Sequence, residues 1–383
     1  MSDTIRILVT HNRPDMISGA ELMIADFVDK MDERFRVTML TPGEGALSDF
    51  YKQRGFDVWA KRIETKRRRY PGLHTVQSMF FARELKDREI NAVLCNTFPA
   101  ASRVGTACRR AGKPYGIYIR EYISDQPLHR TSLEKADKIF AESKDVRNYL
   151  SDMTDHDKIV VAYDYIDAQP ILDRAAFHKA SGIRLVPFGT EHPVVGLVGR
   201  ITPYKQPDLF VQAIPGVLSE IPEARFVVVG AAQEKEKDYE SYVKGLAIES
   251  GIQEKVAFMG HRNNAIEITS ELSVACLTSS REPLGRVILE AQLLGCPVVV
   301  PDTGGPPEIV EDGVDGLIFA STASDAEAQL ATQIVQLLKN RELRNGLVAG
   351  AKEKIRTTFA GPKHVRQMEK YLEDLSRKDD QVL

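Results

Sequence analysis

The chain has 383 residues, 43% hydrophobic and 27% charged, with a formal net charge of −3 at pH 7. That length accommodates two ordinary domains with separate cores, and the composition is that of a soluble globular protein. The slightly acidic balance argues against a dedicated nucleic-acid binder, which carries a strong basic excess. At the N-terminus, "MSDTIRILVTHN" lacks a basic region followed by an apolar one, so the expected setting is cytoplasmic. Strands are expected at 5–11 (IRILVTH), 35–41 (FRVTMLT), 57–63, 92–96, 115–121 (YGIYIRE), 138–143 and 158–163. Stretches of helical spacing lie between them, such as 20–31 (AELMIADFVDKM) and 74–87 (HTVQSMFFARELKD). Residues 164–193 break the rhythm with Pro170, Pro187 and Pro193, and read as a linker. Alternation resumes with strands at 194–200, 225–230, 255–260, 273–279, 297–302 and 316–320. Helices are expected at 207–221, 234–250, 285–295 and 363–378. The pattern is α/β, with parallel sheets covered on both faces, and it divides into domains at 1–180 and 181–360 with a final segment at 361–383. No apolar run approaches the roughly eighteen residues of a spanning helix.

Glu282 and Glu290 stand eight residues apart in "REPLGRVILEAQLLGCPVVVPDTGGPPEIVEDG" (281–313). On one continuous helix they would lie roughly 12 Å apart and be rotated by about 80°. Glycosidase carboxyl pairs need about 5 Å or roughly 6.5–9.5 Å, so acid and base work on one bond does not fit. Two contacts on an extended ligand fit better. Between them, the N–H groups of Leu284, Gly285 and Arg286 at a helix start would hold phosphates. Hexose, diphosphate and ribose together describe a nucleotide sugar. The bland alternative is that Glu282 favours a helix dipole and Glu290 is solvated.

The rest of the chain bears on that choice. The pattern A-x-x-x-G-x-P-V-V follows the second glutamate, and G-G-x-x-E-x-V-x-x-G-x-x-G follows that, ending at Gly316. Upstream stand "VGRITPYK" (198–205), "SGAE" (18–21), "ADKIFAES" (136–143) and "KIVVAYDYID" (158–167), in order. Over nearly its whole length the chain resembles the GT-B retaining glycosyltransferases of the family-4 type. The block at 282–316 is highly specific, and the N-terminal matches are looser.

The resemblance implies two Rossmann-like domains facing a cleft, with a C-terminal helix packing back on the N-domain. It puts the acceptor on the first domain and the nucleotide-sugar donor on the second, with the base of its carrier left open between uracil (UDP) and guanine (GDP). The implied reaction moves a hexosyl group to an acceptor hydroxyl, with retention, and with the leaving phosphate taking the acceptor proton. Arg200, Lys205 and Glu282 would be catalytic. The two cations would stabilise the leaving diphosphate in place of a metal, so neither metal nor cofactor is required. Gly19, Leu284, Gly285, Arg286 and Glu290 would join them in binding the donor. His261 and Arg262, in "GHRNNAIE", would border the base. The implied product is a polysaccharide, glycolipid or other glycoconjugate. Competing readings are an epimerase of the same architecture, against which the 282–316 block argues, and a catalytically silent binding subunit, against which intact Arg200, Lys205, Glu282 and Glu290 argue.

Two stretches depart from the family pattern. Where the family commonly carries a histidine near the transferred sugar, this chain has Arg120 and Glu121 in "IYIREY". A guanidinium cannot serve as a base at neutral pH, which leaves these two as acceptor-side candidates. "YDYID" (163–167) replaces N-G-I/V-D. The D-x-D at Asp155 and Asp157 has the form of a metal site, but lies in a polar loop outside the donor half and reads as loop aspartates. Cys95, Cys108, Cys276 and Cys296 show no C-x-x-C spacing and read as reduced, buried thiols. The basic run "KRIETKRRRY" (61–70) is a solvated loop by default; the family offers peripheral contact with an anionic membrane, at its inner face, as the alternative.

Overall fold

The computed structural model describes residues 4–14, 19–62 and 71–377, with the backbone alone at 71–74. Two compact units form. The first is discontinuous in sequence, Met1–Tyr165 with Pro362–Leu383, and the second is Ile166–Gly361.

The first unit runs β1 (Ile5–Thr10), α1 (Gly19–Val28), β2 (Phe35–Thr41), α2 (Ala46–Gln53), β3 (Asp57–Ala60), α3 (Pro71–Asp87) and β4 (Ala92–Cys95). It continues with α4 (Phe98–Ala111), β5 (Tyr115–Ile119), α5 (Pro127–Glu134), β6 (Lys138–Ala141), α6 (Lys144–Ser151) and β7 (Ile159–Val161). The second unit holds α7 (Ala168–Ser181), β8 (Val194–Val198), α8 (Pro207–Glu220), β9 (Arg225–Val229), α9 (Lys237–Glu249), β10 (Val256–Gly260) and α10 (Ala265–Thr269). Then come β11 (Val274–Cys276), α11 (Arg286–Leu294), β12 (Val298–Pro301), α12 (Pro306–Ile309), β13 (Leu317–Phe319), α13 (Ala326–Lys339) and α14 (Arg341–Lys354); α15 (Pro362–Ser376) returns to the first unit.

The described strands pair in parallel as β3-β2-β1-β4-β5-β6-β7 and β10-β9-β8-β11-β12-β13. Parallel strands are buried on both faces, which is why their sequences are continuous apolar runs and not alternating ones. Strand order reverses at β1/β4 and again at β8/β11. In such sheets the loops beyond the carboxyl ends of the strands splay apart at the reversal and leave a crevice for ligands.

The final helix packs on the first sheet as expected. Its Val365, Met368, Leu372 and Leu375 are buried with Ile7, Val9, Leu94, Tyr118 and Phe140. Gly116 makes room for that packing: a Cβ there would lie 2.4 Å from the Phe140 ring and 3.3 Å from Leu375. The stretch read as a linker differs from expectation, because α7 occupies Ala168–Ser181. Pro170 falls in the first turn, where its missing N–H has no intrahelical partner to lose, and Gly182 closes the helix at φ 65°. No described helix is long and apolar enough to cross a membrane.

Candidate functional site

The reversal between β8 and β11 gathers the second unit's polar residues. Arg200 lies just past β8, and a short 3-10 turn, Pro203–Lys205, follows it. Gln206 then adopts a left-handed conformation (φ 45°, ψ 53°), strained for a residue with a side chain. Thr278, beyond β11, holds this turn by donating to the carbonyls of Lys205 (2.9 Å) and Gln206 (2.8 Å). The Ser280 N–H donates to Tyr204 O at 2.9 Å, locking the two loops together. Lys205 Nζ consequently meets the Glu282 carboxylate in an ion pair, and Ser279 Oγ donates to the same oxygen at 2.7 Å. Arg200 donates to the Tyr204 hydroxyl at 2.7 Å. The Tyr204 ring lies 5.9 Å from the Arg200 guanidinium and 5.5 Å from Lys205 Nζ. A cation-rich rim thus stands over a nearly buried carboxylate.

The two glutamates do not share a helix, which corrects the geometry drawn from their spacing. Helix α11 starts at Arg286, and Glu282 belongs to the loop before it. Pro283 disfavours helical backbone at Glu282, and Gly285 (φ 101°) turns the chain immediately before the helix. Leu284 is fully buried. On the helix, Arg286 Nε pairs with Glu290 at 3.1 Å. Two glycines to which no role was assigned hold the Glu282 loop from behind. Gly305 N–H donates to Glu282 O at 2.8 Å. A Cβ at Gly304 (φ 74°) would sit 2.4 Å from that oxygen, and one at Gly305 would sit 2.1 Å from Pro283 O. The Gly-Gly pair in the sequence was the signal for this close approach. Tyr204 and Ser279 had none.

The remaining candidates lie apart. His261 and Arg262 are exposed at the carboxyl end of β10, two strands from β8 in the sheet, with His261 Nε2 3.1 Å from Asn263 Oδ1. Asp155 Oδ1 accepts from Asp157 N–H at 3.0 Å, capping a short turn. All four cysteines are unpaired and buried, and burial pushes the Cys95 and Cys296 thiols up to about 12. Of the basic run, 63–70 lie outside the described residues; Lys61 pairs with Glu84 and lies 5.6 Å from the Trp59 ring.

In the first unit the β1/β4 reversal brings together the ends of β1, β4 and β5. Gly19 opens α1 and is exposed, as is Glu121. Arg120 is not an open cation. Its side chain is 10% exposed, and Nε bonds Asp164 Oδ1 at 3.1 Å. Nη1 donates to the backbone oxygen and Oδ1 of Asn96 at 2.9 and 2.8 Å. Nearby, His11 is buried against the Tyr51 hydroxyl (3.2 Å) and the Asn96 amide (3.4 Å). Burial, and secondarily the Arg120 charge, push its imidazole down to about 3.

The family described as Glycosyl transferases group 1 matches residues 185–354, and Glycosyltransferase Family 4 matches 17–169. Among curated proteins, N-acetyl-alpha-D-glucosaminyl L-malate synthase of Bacillus anthracis is 28% identical over 286 residues, 73% of this chain and 71% of that protein. D-inositol 3-phosphate glycosyltransferase of Mycobacteroides abscessus is 29% identical over 49% of this chain, which spans only 41% of that protein. Among solved structures, Anabaena HepE in complex with UDP and glucose superposes with a TM-score of 0.80 at 20% identity, covering 96% of this chain and 99% of that one. Sucrose-phosphate synthase from Thermosynechococcus elongatus gives 0.75 at 16% identity, covering 97% and 99%. At these identities the structural likeness is one of fold.

Proposed function

The chain belongs to the glycosyl transferases of group 1, with a first unit of the family-4 kind, and on that premise we propose that it transfers a hexosyl group from a uridine-diphosphate sugar to an acceptor hydroxyl with retention at the anomeric carbon. The observation that carries this reading is the cluster of Arg200, Lys205 and Glu282 before the start of α11, at the strand-order reversal of the second sheet. The bond from the anomeric carbon to the diphosphate breaks, and a bond to the acceptor oxygen forms on the same face. The acceptor's proton passes to the leaving phosphate. Negative charge grows on the diphosphate as it departs; Lys205 and Arg200 stabilise it, the latter by forking onto phosphate oxygens. Glu282 takes hydroxyls of the transferred sugar, Glu290 those of the ribose, and the N–H groups of Leu284, Gly285 and Arg286 the phosphates. Gly19 contributes a donor contact, and His261 with Arg262 borders the base. Uridine is favoured by HepE, which was solved with UDP-glucose.

The test is product analysis with UDP, GDP, TDP and ADP sugars and a panel of hydroxyl acceptors, in the presence of EDTA. Transfer from a UDP sugar with the donor's anomeric configuration kept supports the reading. Interconversion of the donor sugar would mean an epimerase, and a complete EDTA block rescued by Mn²⁺ would return Asp155 and Asp157 to consideration.

We also propose that the first unit makes peripheral contact with an anionic bilayer, the setting expected for the run at 61–70. On α3, directly after that run, Val76, Met79 and Phe80 are 48%, 60% and 65% exposed. Their spacing puts them on one face of the helix. Beside them Met79 and Ala82 share a groove with Arg83, Lys86 and Arg110, three cations suited to lipid phosphates. Co-sedimentation with vesicles containing phosphatidylglycerol, but not with phosphatidylcholine alone, is expected. It should weaken at least tenfold in Met79→Gln/Phe80→Gln, given about 1.5–3 kcal/mol per buried apolar side chain. Equal sedimentation of wild type and variant would remove α3 from the contact.

A further inference from the structure

The sequence departs from the family pattern at two places 44 residues apart, and the fold brings them into contact: Arg120 Nε and Asp164 Oδ1 are 3.1 Å apart. Both side chains are nearly buried, 10% and 4% exposed. The contacts continue beyond the pair. Arg120 Nη1 donates twice to Asn96, whose amide reaches Ala20 O and His11 Nδ1, each at 3.4 Å. Arg120 Nη2 lies 3.9 Å from Met23 Sδ, and its guanidinium centre lies 3.4 Å from the Tyr118 ring centroid. Tyr118 in turn donates its hydroxyl to Ala162 O at 2.5 Å. A line of contacts therefore runs from Asp164 through Arg120 and Asn96 to the first turn of α1, which opens at Gly19.

We infer that Arg120 and Asp164 are one positioning unit, standing together where the family pattern has histidine and asparagine, and that it sets the first turn of α1 through Asn96. The inference rests on the reading above that Gly19, at this turn, contributes a donor contact. Two physical facts favour a unit over two unrelated changes. Losing either charge would strip the other of its nearest opposite charge in a nearly buried place, whereas a neutral histidine with a neutral asparagine leaves no such charge. The rigid fork reaches Asp164 through Nε and both oxygens of Asn96 through Nη1, two nitrogens set apart on one plane, whereas a lysine ammonium gathers its three donors on a single flexible nitrogen. Asn96 is thereby held with its amide turned towards α1, and the N–H groups of that first turn are fixed before any ligand arrives.

The experiment compares the full chain with Arg120→His, Asp164→Asn, the double variant and Arg120→Lys, well below their unfolding temperatures. UDP affinity is read by calorimetry, and kcat and KM for a UDP sugar by initial rates. Each single change should lower kcat/KM for the donor between about tenfold and 10²-fold, the penalty of a misplaced contact. The double variant should lose no more than either single change, because both break the same hold on Asn96. Arg120→Lys, which keeps a cation opposite Asp164, should fold normally yet retain the donor defect. Losses that multiply in the double variant, or an Arg120→Lys protein with wild-type kcat/KM, would overturn the inference. Wild-type turnover in the same assay distinguishes that failure from failure of the transferase reading.

Discussion

On the proposed mechanism Lys205 couples stability to chemistry, and the two can be separated. Its ammonium faces Glu282, with the side chains 16% and 11% exposed. Removing one partner of a fully buried pair costs about 3–5 kcal/mol. Residual exposure and the Ser279 hydroxyl, which still donates to Glu282 at 2.7 Å, bring Lys205→Ala down to roughly 2 kcal/mol. For a unit of this size that lowers Tm by about 4–8 °C. Turnover should fall at least ~10²-fold, because stabilisation of the departing diphosphate is lost in the transition state. The double variant Lys205→Ala/Glu282→Gln no longer buries an unmatched carboxylate, so its Tm should return most of the way to wild type. Its kcat should not. Scanning calorimetry and initial rates at saturating donor read the two quantities independently. A kcat that recovers with Tm would show that Lys205 acts only as a structural partner of Glu282.

Arg200 is exposed and reaches the Tyr204 hydroxyl, so Arg200→Ala should lose a similar ~10² in kcat with almost no change in Tm. Glu290→Gln should weaken UDP itself by roughly 1.5–3 kcal/mol in calorimetry, while Glu282→Gln should leave UDP binding nearly intact and blur the choice among donor sugars. Equal loss of UDP affinity in both would refute the division of ribose and hexose between them. His11 gives a pH prediction. Its imidazole stays neutral in the folded chain down to about 3, whereas the unfolded chain takes a proton near 6.5. Stability should therefore fall by about 1.4 kcal/mol per unit as pH drops below 6.5, and His11→Gln should flatten that limb in denaturant titrations at pH 7 and 5. Finally, Gly304→Ala forces a methyl to 2.4 Å from Glu282 O at positive φ, and should reduce both Tm and turnover.

The alternating architecture was legible because parallel strands require unbroken apolar runs, and "VVGLV" or "RFVVV" cannot be solvated on either face. Helix α7 was not, because a proline reads as a break unless its place within the first turn is known. The site's residue types were legible at 198–205 and 282–290, but its shape was not. The path of Glu282 is set by Pro283, by the left-handed Gly285, and by glycines from a different strand's loop. None of these alters the eight-residue spacing that suggested one helix. Arg120 and Asp164 each read as an isolated oddity, since their meeting depends on β5, β6 and β7 lying side by side, a tertiary fact that no local pattern carries.

The return of α15 to the first sheet has a consequence for biosynthesis. The apolar face that Val365, Met368, Leu372 and Leu375 cover belongs to strands made long before them. About two hundred residues of the second unit are synthesised in between, which at about 5–20 residues per second takes roughly 10–40 s. Through that interval Tyr118 and Phe140 lack their final cover, and at its end the second unit has its whole sequence at hand and can fold first. The nascent first unit is thus a natural client for a chaperone, and a chain stopped just before Pro362 would keep a finished second unit beside a permanently open sheet.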